Sequence, residues 1–459
     1  MTRTIAIALL SLRTAIRSRL VVWLATALLL TVVGLGLTAK GDGTLDGQVR
    51  VLLYYTLGLA AILLGTATLW MACGGIAEEI KGKHIQLVAV KPVHRSQIWL
   101  GKWLALVLLN AAMLTLAGLG AYAVLQYKVR SPGVAPEDRR RVQDGVLTAS
   151  RSIGPRQEMV NEEVQRRVDL LIKDHDISAR VSRREIFSYV KKRVLGERST
   201  VPPGASKQWV FDVPANLPRA GSRADSPCSL RIRLYPASRD MKPARGTWTV
   251  GWEGNPAAFT HTMEEPWENI HRFALPLSAL RPGQRAVVRF TNAADKETST
   301  VVLDPGRNVE LLVREGSFGM NLARALVVLL CQLALLAALG LAASTVFSFP
   351  VATFMTVSVL AVSSVAHYLA ATVTFDPHEY EHSGAPSLYY VITERIMERL
   401  DALTGPATRL DPLDPLSDGA LVSWGFTGRA VLTLAILYPA ALFLLGTYCL
   451  KRRELALPE

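Results

Sequence analysis

The chain has 459 residues, 50% of them hydrophobic and 19% charged, with a mean hydropathy of +0.25. That balance is too apolar for an ordinary soluble enzyme and too charged for a chain that is membrane throughout, so it argues against a purely soluble protein and for a split architecture. The net charge of +13 does not call for nucleic acid, because basic excess in a membrane protein marks its cytoplasmic loops. Cys73, Cys228, Cys331 and Cys449 are too far apart for a disulfide scaffold or a Cys-x-x-Cys metal site.

Six long apolar runs follow in chain order: Leu20 to Thr38, Val51 to Ala72, Trp103 to Leu125, Leu326 to Val346, Val351 to Thr374 and Val431 to Leu450. At about 1.5 Å per residue each is long enough for a hydrocarbon core of about 30 Å. The first is too long, and too far from the start, for a signal-peptide core. Before it, Ile5, Leu9, Leu12, Ile16 and Leu20 recur every three or four residues with Arg3, Arg13 and Arg17 on other faces. This is the pattern of a helix lying in the membrane interface, with a simple extension of the first span as the alternative.

Short loops set orientation. The N-terminal stretch carries Arg3, Arg13, Arg17 and Arg19; the second loop carries Lys81, Lys83, Lys91, Arg95 and Lys102; the tail carries Lys451, Arg452 and Arg453. These are expected in the cytoplasm, so both termini are expected inside a cell inner (plasma) membrane. Residues 128–318 are then extracytoplasmic, despite 32 basic against 23 acidic residues, because long domains cross largely regardless of charge.

Within that segment the period changes. From about Ala135 to Val201 the residues favour two or three amphipathic helices, with Val160, Val164, Val168, Leu171 and Ile172 as one stripe and Ile186, Tyr189 and Val190 as another. After Pro202-Pro203-Gly204, seven short strands are expected: Trp209 to Val213, Leu230 to Tyr235, Thr247 to Trp252, His271 to Leu275, Ala286 to Phe290, Thr300 to Leu303 and Val309 to Val313. They suggest an antiparallel sandwich. No catalytic constellation stands out there, and His261 and His271 are isolated.

The expected fold class is mixed: a six-helix α transmembrane domain with an inserted extracytoplasmic α+β domain, a helical part plus a β-sandwich. The divisions are 1–127 with a cytoplasmic loop at 74–98, 128–204, 205–318, and 319–459 with an external loop at 375–428.

The loop after the second run reads GGIAEEIKGKHIQLVAVKPVHRSQIWLGKW. An apolar patch, Ile85, Leu87, Val88 and Val90, sits between charged flanks, and Pro92 stops any helix. The acidic pair Glu78-Glu79, Gly82, the apolar stretch, Lys91-Pro92-Val93-His94-Arg95 and Leu100-Gly101-Lys102 together resemble the cytoplasmic segment of ABC-2-type ABC transporter permeases. That family's usual pattern is Glu, Gly-Thr, a Leu-rich run, Pro-Val-x-Arg and Gly-Lys; Lys83 departs from its Thr. Gly316-Ser317-Phe318 with Asn321, and the run RLDPLDPLSDGALVSW before the last span, with Lys451-Arg452-Arg453-Glu454 after it, also look like a branch of that family with an enlarged external domain.

The resemblance implies a permease subunit of an exporter, with Glu78, Glu79, Gly82, Pro92, Arg95 and Lys102 in the element that receives force from a separate ATPase subunit. It further implies a second permease protomer, giving a homodimer or a related pair in membrane lipid. No catalytic residue and no cofactor of the chain's own are expected. Gly82-Lys83 is followed by His84 and Gly101-Lys102 by Trp103, so neither completes the Gly-Lys-Ser/Thr of a P-loop. ATP and Mg²⁺ would be bound by the partner.

Two other readings come from different classes. His378-Glu379-Tyr380-Glu381-His382 satisfies His-Glu-x-x-His, which on a helix would hold zinc with the glutamate as base of a membrane metalloprotease. Gly384 and Pro386 cut that helix to about two turns, a third ligand would have to come from His367 or Asp376, and an acidic external turn is the simpler account. Beyond it, Leu388, Ile392, Ile396, Leu400 and Leu403 suggest a helix resting on the outer membrane surface. The last reading is a non-transporting scaffold that displays the sandwich.

Overall fold

The computed structural model describes residues 2–38, 44–82, 94–156, 158–174, 183–197, 199–215, 217, 228–236, 244–265, 270–294, 300–303, 309–372, 395, 399 and 410–452. The chain forms two compact units. The first comprises Met1–Ala149, Ser317–Thr372 and Ile392–Glu459, and the second Ser150–Gly316 with Val373–Val391.

The first unit is helical. Its elements are α1 (Thr2–Arg17), α2 (Arg19–Thr38), α3 (Leu45–Lys81), α4 (Arg95–Arg130), α5 (Pro136–Gly145), then α8 (Phe318–Val346), α9 (Phe349–Thr372), α10 (Leu413–Ser417) and α11 (Trp424–Arg452). Among the described residues five helices, α2, α3, α4, α8 and α11, are long and apolar enough to cross a membrane, which is compatible with a multi-pass membrane protein. The run at Val351 to Thr374 forms α9, whose described apolar portion is the shorter Phe349–Ser363. Outward faces of these helices are greasy: Trp23 is 72% exposed, Leu30 68%, Leu119 64% and Phe354 70%. Such contiguous apolar surface does not suit water.

α1 and α2 are separate helices. The chain breaks at Ser18, whose hydroxyl donates to the Ala15 carbonyl at 2.6 Å and accepts from the Val21 N–H at 3.4 Å, ending one helix and capping the next. α1 packs along α4, and Gly101 makes that possible: a Cβ there would lie 2.8 Å from Cγ2 of Ile7 and 3.1 Å from the Thr4 carbonyl. Ile5, Leu9 and Ile16 remain exposed, so the apolar stripe read from the sequence lies off the packed face. α8 is longer than its charge-free run because Asn321 and Arg324 sit inside the helix.

Those two polar residues hold the segment 410–424. Asn321 Nδ2 donates to the Ala420 carbonyl and its Oδ1 accepts from the Val422 N–H, both at 2.8 Å. Arg324 donates to the Val422 carbonyl at 3.2 Å and lies over the Trp424 ring. Further along α8, Gln332 donates to the Leu410 carbonyl at 3.0 Å. Eleven residues of helix separate Asn321 from Gln332, about 16 Å, so the segment runs antiparallel beside α8 with side chains satisfying its free carbonyls. Leu410, Leu413, Leu416 and Val422 are buried in the main apolar core.

The first unit runs past α4 to Ala149 because Val142 and Val146 at α5 are fully buried in that same core.

The second unit contains α6 (Glu158–Asp174), α7 (Arg183–Glu197) and most of the strands. α6 and α7 pair through Val164, Val168, Ile186, Val190 and Val194, with Leu171, Ile172 and Tyr189 packed against them; of the stripes read from the sequence, the side chain of Val160 lies outside the described residues. The strands are β1 (Thr148–Ile153), β2 (Thr200–Val201), β3 (Ser206–Asp212), β4 (Cys228–Arg233), β5 (Tyr235–Pro236), β6 (Ala244–Trp252), β7 (Asn255–Glu265), β8 (Ile270–Leu275), β9 (Arg285–Asn292), β10 (Val301–Val302) and β11 (Val309–Ser317).

Two four-stranded sheets, in the orders β1-β11-β4-β8 and β3-β9-β6-β7, share one apolar core, and a small sheet β2-β10-β5 completes it. Trp248 packs against Trp209 and Phe290 of its own sheet and meets Phe273 of the other. All seven expected strands are present. β7, the longest, and the short β1, β2 and β5 were not read from the sequence. Burial pushes the Cys228 thiol up to about 11, so it is a packed, unreactive group.

Candidate functional site

The residues singled out between the second and third apolar runs converge where α3 ends and α4 begins. α3 has 37 residues and α4 has 36, or about 55 Å each. Both exceed a hydrocarbon core of about 30 Å by several turns. Glu78 and Glu79 lie in the last turn of α3, and Gly82 is its C-cap, donating its N–H to the Glu78 carbonyl at 2.8 Å. The φ of Gly82 is −79°, open to any residue, so the cap geometry does not require glycine. Residues 83–93 lie outside the described residues, and with them Pro92 and the apolar patch from Ile85 to Val90.

α4 starts at Arg95, with the Gln97 side chain accepting from the His94 N–H at 3.2 Å. Its first three turns connect it to both neighbours. Lys102 Nζ pairs with Glu79 Oε1 at 2.5 Å, with the lysine side chain 12% and the glutamate 39% exposed, tying α4 to α3. Such half-exposed pairs contribute up to about 1 kcal/mol.

Arg95 Nη1 donates to the Leu450 carbonyl and, at 3.0 Å, to the Lys451 carbonyl. A cation there satisfies two of the carbonyls that a helix C-terminus leaves unpaired and sits at its negative end. Between the two ties, Trp99 is buried against Phe443, ring centroids 5.3 Å apart. Gly446 makes room for it: a Cβ there would lie 2.8 Å from Trp99 Nε1. Deeper, Thr68 Oγ1 donates to Asn110 Oδ1 at 3.0 Å, linking α3 and α4 once more inside the apolar region.

Of the six expected residues, then, Glu79 and Lys102 are a pair, Arg95 caps α11, Gly82 ends α3, Glu78 points elsewhere and Pro92 is not described. Glu78 and Glu79 both line a cleft of about 450 Å³ between α1, α3 and α4, whose walls also include Ser11, Thr14, Met71, Lys102, Leu106 and Leu109. Sequence reasoning missed Trp99 and Gly446. Their signal is a large aromatic facing a glycine across two segments some 350 residues apart, which no local pattern reveals.

His378, Glu379, His382 and Asp376 lie outside the described residues, as does the side chain of His367. So do all five residues of the stripe, Leu388, Ile392, Ile396, Leu400 and Leu403.

Valine at Gly101 should push α1 off α4, because the Thr4 carbonyl and the Cβ of Ile7 cannot rotate away as a flexible side-chain tip could. We expect a loss of about 1–3 kcal/mol, seen as protease cleavage within residues 2–17 while the rest of the chain stays intact. Resistance equal to wild type would show that α1 does not depend on this contact.

Comparison with protein-family models, with curated proteins and with solved structures returned no match.

Proposed function

We propose that the chain is the membrane-spanning permease subunit of an ABC exporter of the ABC-2 type, paired with a second permease protomer and driven by a separate ATPase subunit. In this reading α9 is the sixth span, both termini and residues 74–98 are cytoplasmic, and residues 128–318 are extracytoplasmic. The observation that carries it is the double tie at the ends of the loop, Glu79–Lys102 to α3 and Arg95 to the end of α11. A loop that merely turned the chain would not need both ends fixed to three different helices.

An ATPase docked on residues 83–93 would push on α3 and α4 together and drag α11 with them, so closure of the ATPase becomes a tilt of a three-helix block. ATP and Mg²⁺ chemistry belongs to the partner. This chain's residues transmit displacement: the Glu79–Lys102 pair keeps the two helix ends from sliding, and the Arg95 cap carries motion to the last helix. A transported compound would pass between protomers.

The test is purification of the tagged full-length chain from its native membranes. A P-loop ATPase should accompany it, the complex should hydrolyse ATP, and Val88→Asp in the apolar patch should release the ATPase with the permease still folded. ATP hydrolysis by the isolated chain, or a functional chain lacking any ATPase, would defeat the reading.

A further inference from the structure

Glu79 is engaged by Lys102, whereas Glu78 forms no ion pair among the described residues. It faces the cleft of about 450 Å³ between α1, α3 and α4, and Lys102 lines the same end. An ammonium has three donors and Glu79 takes one, leaving Lys102 able to bind a second acceptor. Among the described residues the cleft is therefore lined by the Glu78 carboxylate, outside any ion pair, and by the Glu79–Lys102 pair, whose ammonium keeps donors to spare, with Ser11 and Thr14 on the α1 wall.

The other end is apolar. Met71 precedes Glu78 by seven residues on α3, and Leu109 follows Lys102 by seven on α4, so polarity falls away over about 10 Å along both helices. Leu106 and Leu341 complete that end. The volume is within the range of about 300–1,000 Å³ typical of small-ligand sites.

We propose that this cleft binds one phospholipid whose headgroup bears a primary ammonium, such as phosphatidylethanolamine. The ammonium sits on Glu78, the phosphate on Lys102, and the first part of an acyl chain lies along Met71, Leu106 and Leu109. Charge complementarity selects the class. An anionic headgroup would meet Glu78 with repulsion. A quaternary ammonium has no N–H to replace the water stripped from the carboxylate. A soluble amine would leave the apolar end empty. The site needs the chain to lie in a membrane and is independent of any ATPase.

The full-length chain would be reconstituted in nanodiscs containing equal phosphatidylethanolamine and phosphatidylcholine, then released into detergent for native mass spectrometry. One phosphatidylethanolamine should remain bound per chain, favoured over phosphatidylcholine by roughly tenfold, as a charge-assisted hydrogen bond provides. Glu78→Gln should erase the preference. Ala105, a small uncharged residue, also lines the cleft; Ala105→Phe, which fills that wall and removes no charge, should expel the lipid altogether and keeps the test open if the Glu78 variant fails to fold. Equal retention of both lipids by the wild-type chain, an unchanged preference in Glu78→Gln, or retained lipid in Ala105→Phe would each overturn the proposal.

Discussion

Alanine at Gly419 should lower the unfolding midpoint of the full-length chain in detergent by roughly 10 °C. Two independent costs coincide there. The backbone has φ +67°, a left-handed conformation that costs a residue with a side chain about 1–2 kcal/mol. An added Cβ would also overlap the carbonyl oxygen of Gly145 and approach the backbone of Val146 to 3.1 Å; these are main-chain atoms that cannot swing aside, so overpacking adds about 1–3 kcal/mol. The strain falls where the segment 410–424 meets α5, with Val146 and Leu416 in the same buried core. Gly428→Ala is the control. Nothing lies within 4 Å of its Cβ position, and alanine in a helix interior should be neutral or stabilise by up to about 1 kcal/mol. If both variants melt with wild type, the segment does not pack against α5 as described.

Arg95→Ala should separate the last helix from the loop. It strips the Leu450 and Lys451 carbonyls of their guanidinium donor, and leaving such groups without a partner costs about 1–3 kcal/mol. The effect should stay local, since Trp99, Phe443 and Gly446 still hold the two helices one turn further in. Amide hydrogen exchange over residues 446–452 should therefore speed up by roughly tenfold or more while α3 and α8 keep their protection.

Within the proposed function the same variant predicts an uncoupled complex: ATP hydrolysis persists and transport falls by roughly tenfold. Arg95→Lys keeps the charge but not the fork that reaches two carbonyls, so it should recover only part of the loss. Unchanged exchange at 446–452 would remove the cap. Normal exchange combined with lost transport would instead place the action of Arg95 in the ATPase contact alone.

Much of this was legible in the linear chain. A run of twenty apolar residues has few choices once its backbone must bond to itself, so the long helices follow from hydropathy and length. Strands with a buried alternating face, such as Arg285–Asn292, also declare themselves. β7 did not. As the edge strand beside β6 it tolerates Pro256, and of its residues Met263 belongs to the buried core, so its alternation is faint. α8 hid its first turns because Asn321 and Arg324 interrupt the apolar run, though both side chains are consumed by the segment 410–424.

At the candidate site, the residue types that suggested a force-bearing loop were readable by resemblance, but their partners were not. Glu79 and Lys102 stand 23 positions apart, Arg95 and Leu450 stand 355 apart, and no periodicity connects them. The sequence alone determined that this protein is made of long apolar helices plus a polar insertion that turns from helices to strands, because burial of apolar groups and satisfaction of the backbone depend on composition and local period. Only the tertiary structure decided which charge meets which carbonyl, that of the two carboxylates lining one cleft Glu79 is paired with Lys102, and which glycines are spacers between helices. Those outcomes depend on the angle and depth at which distant segments cross, which local propensity does not encode.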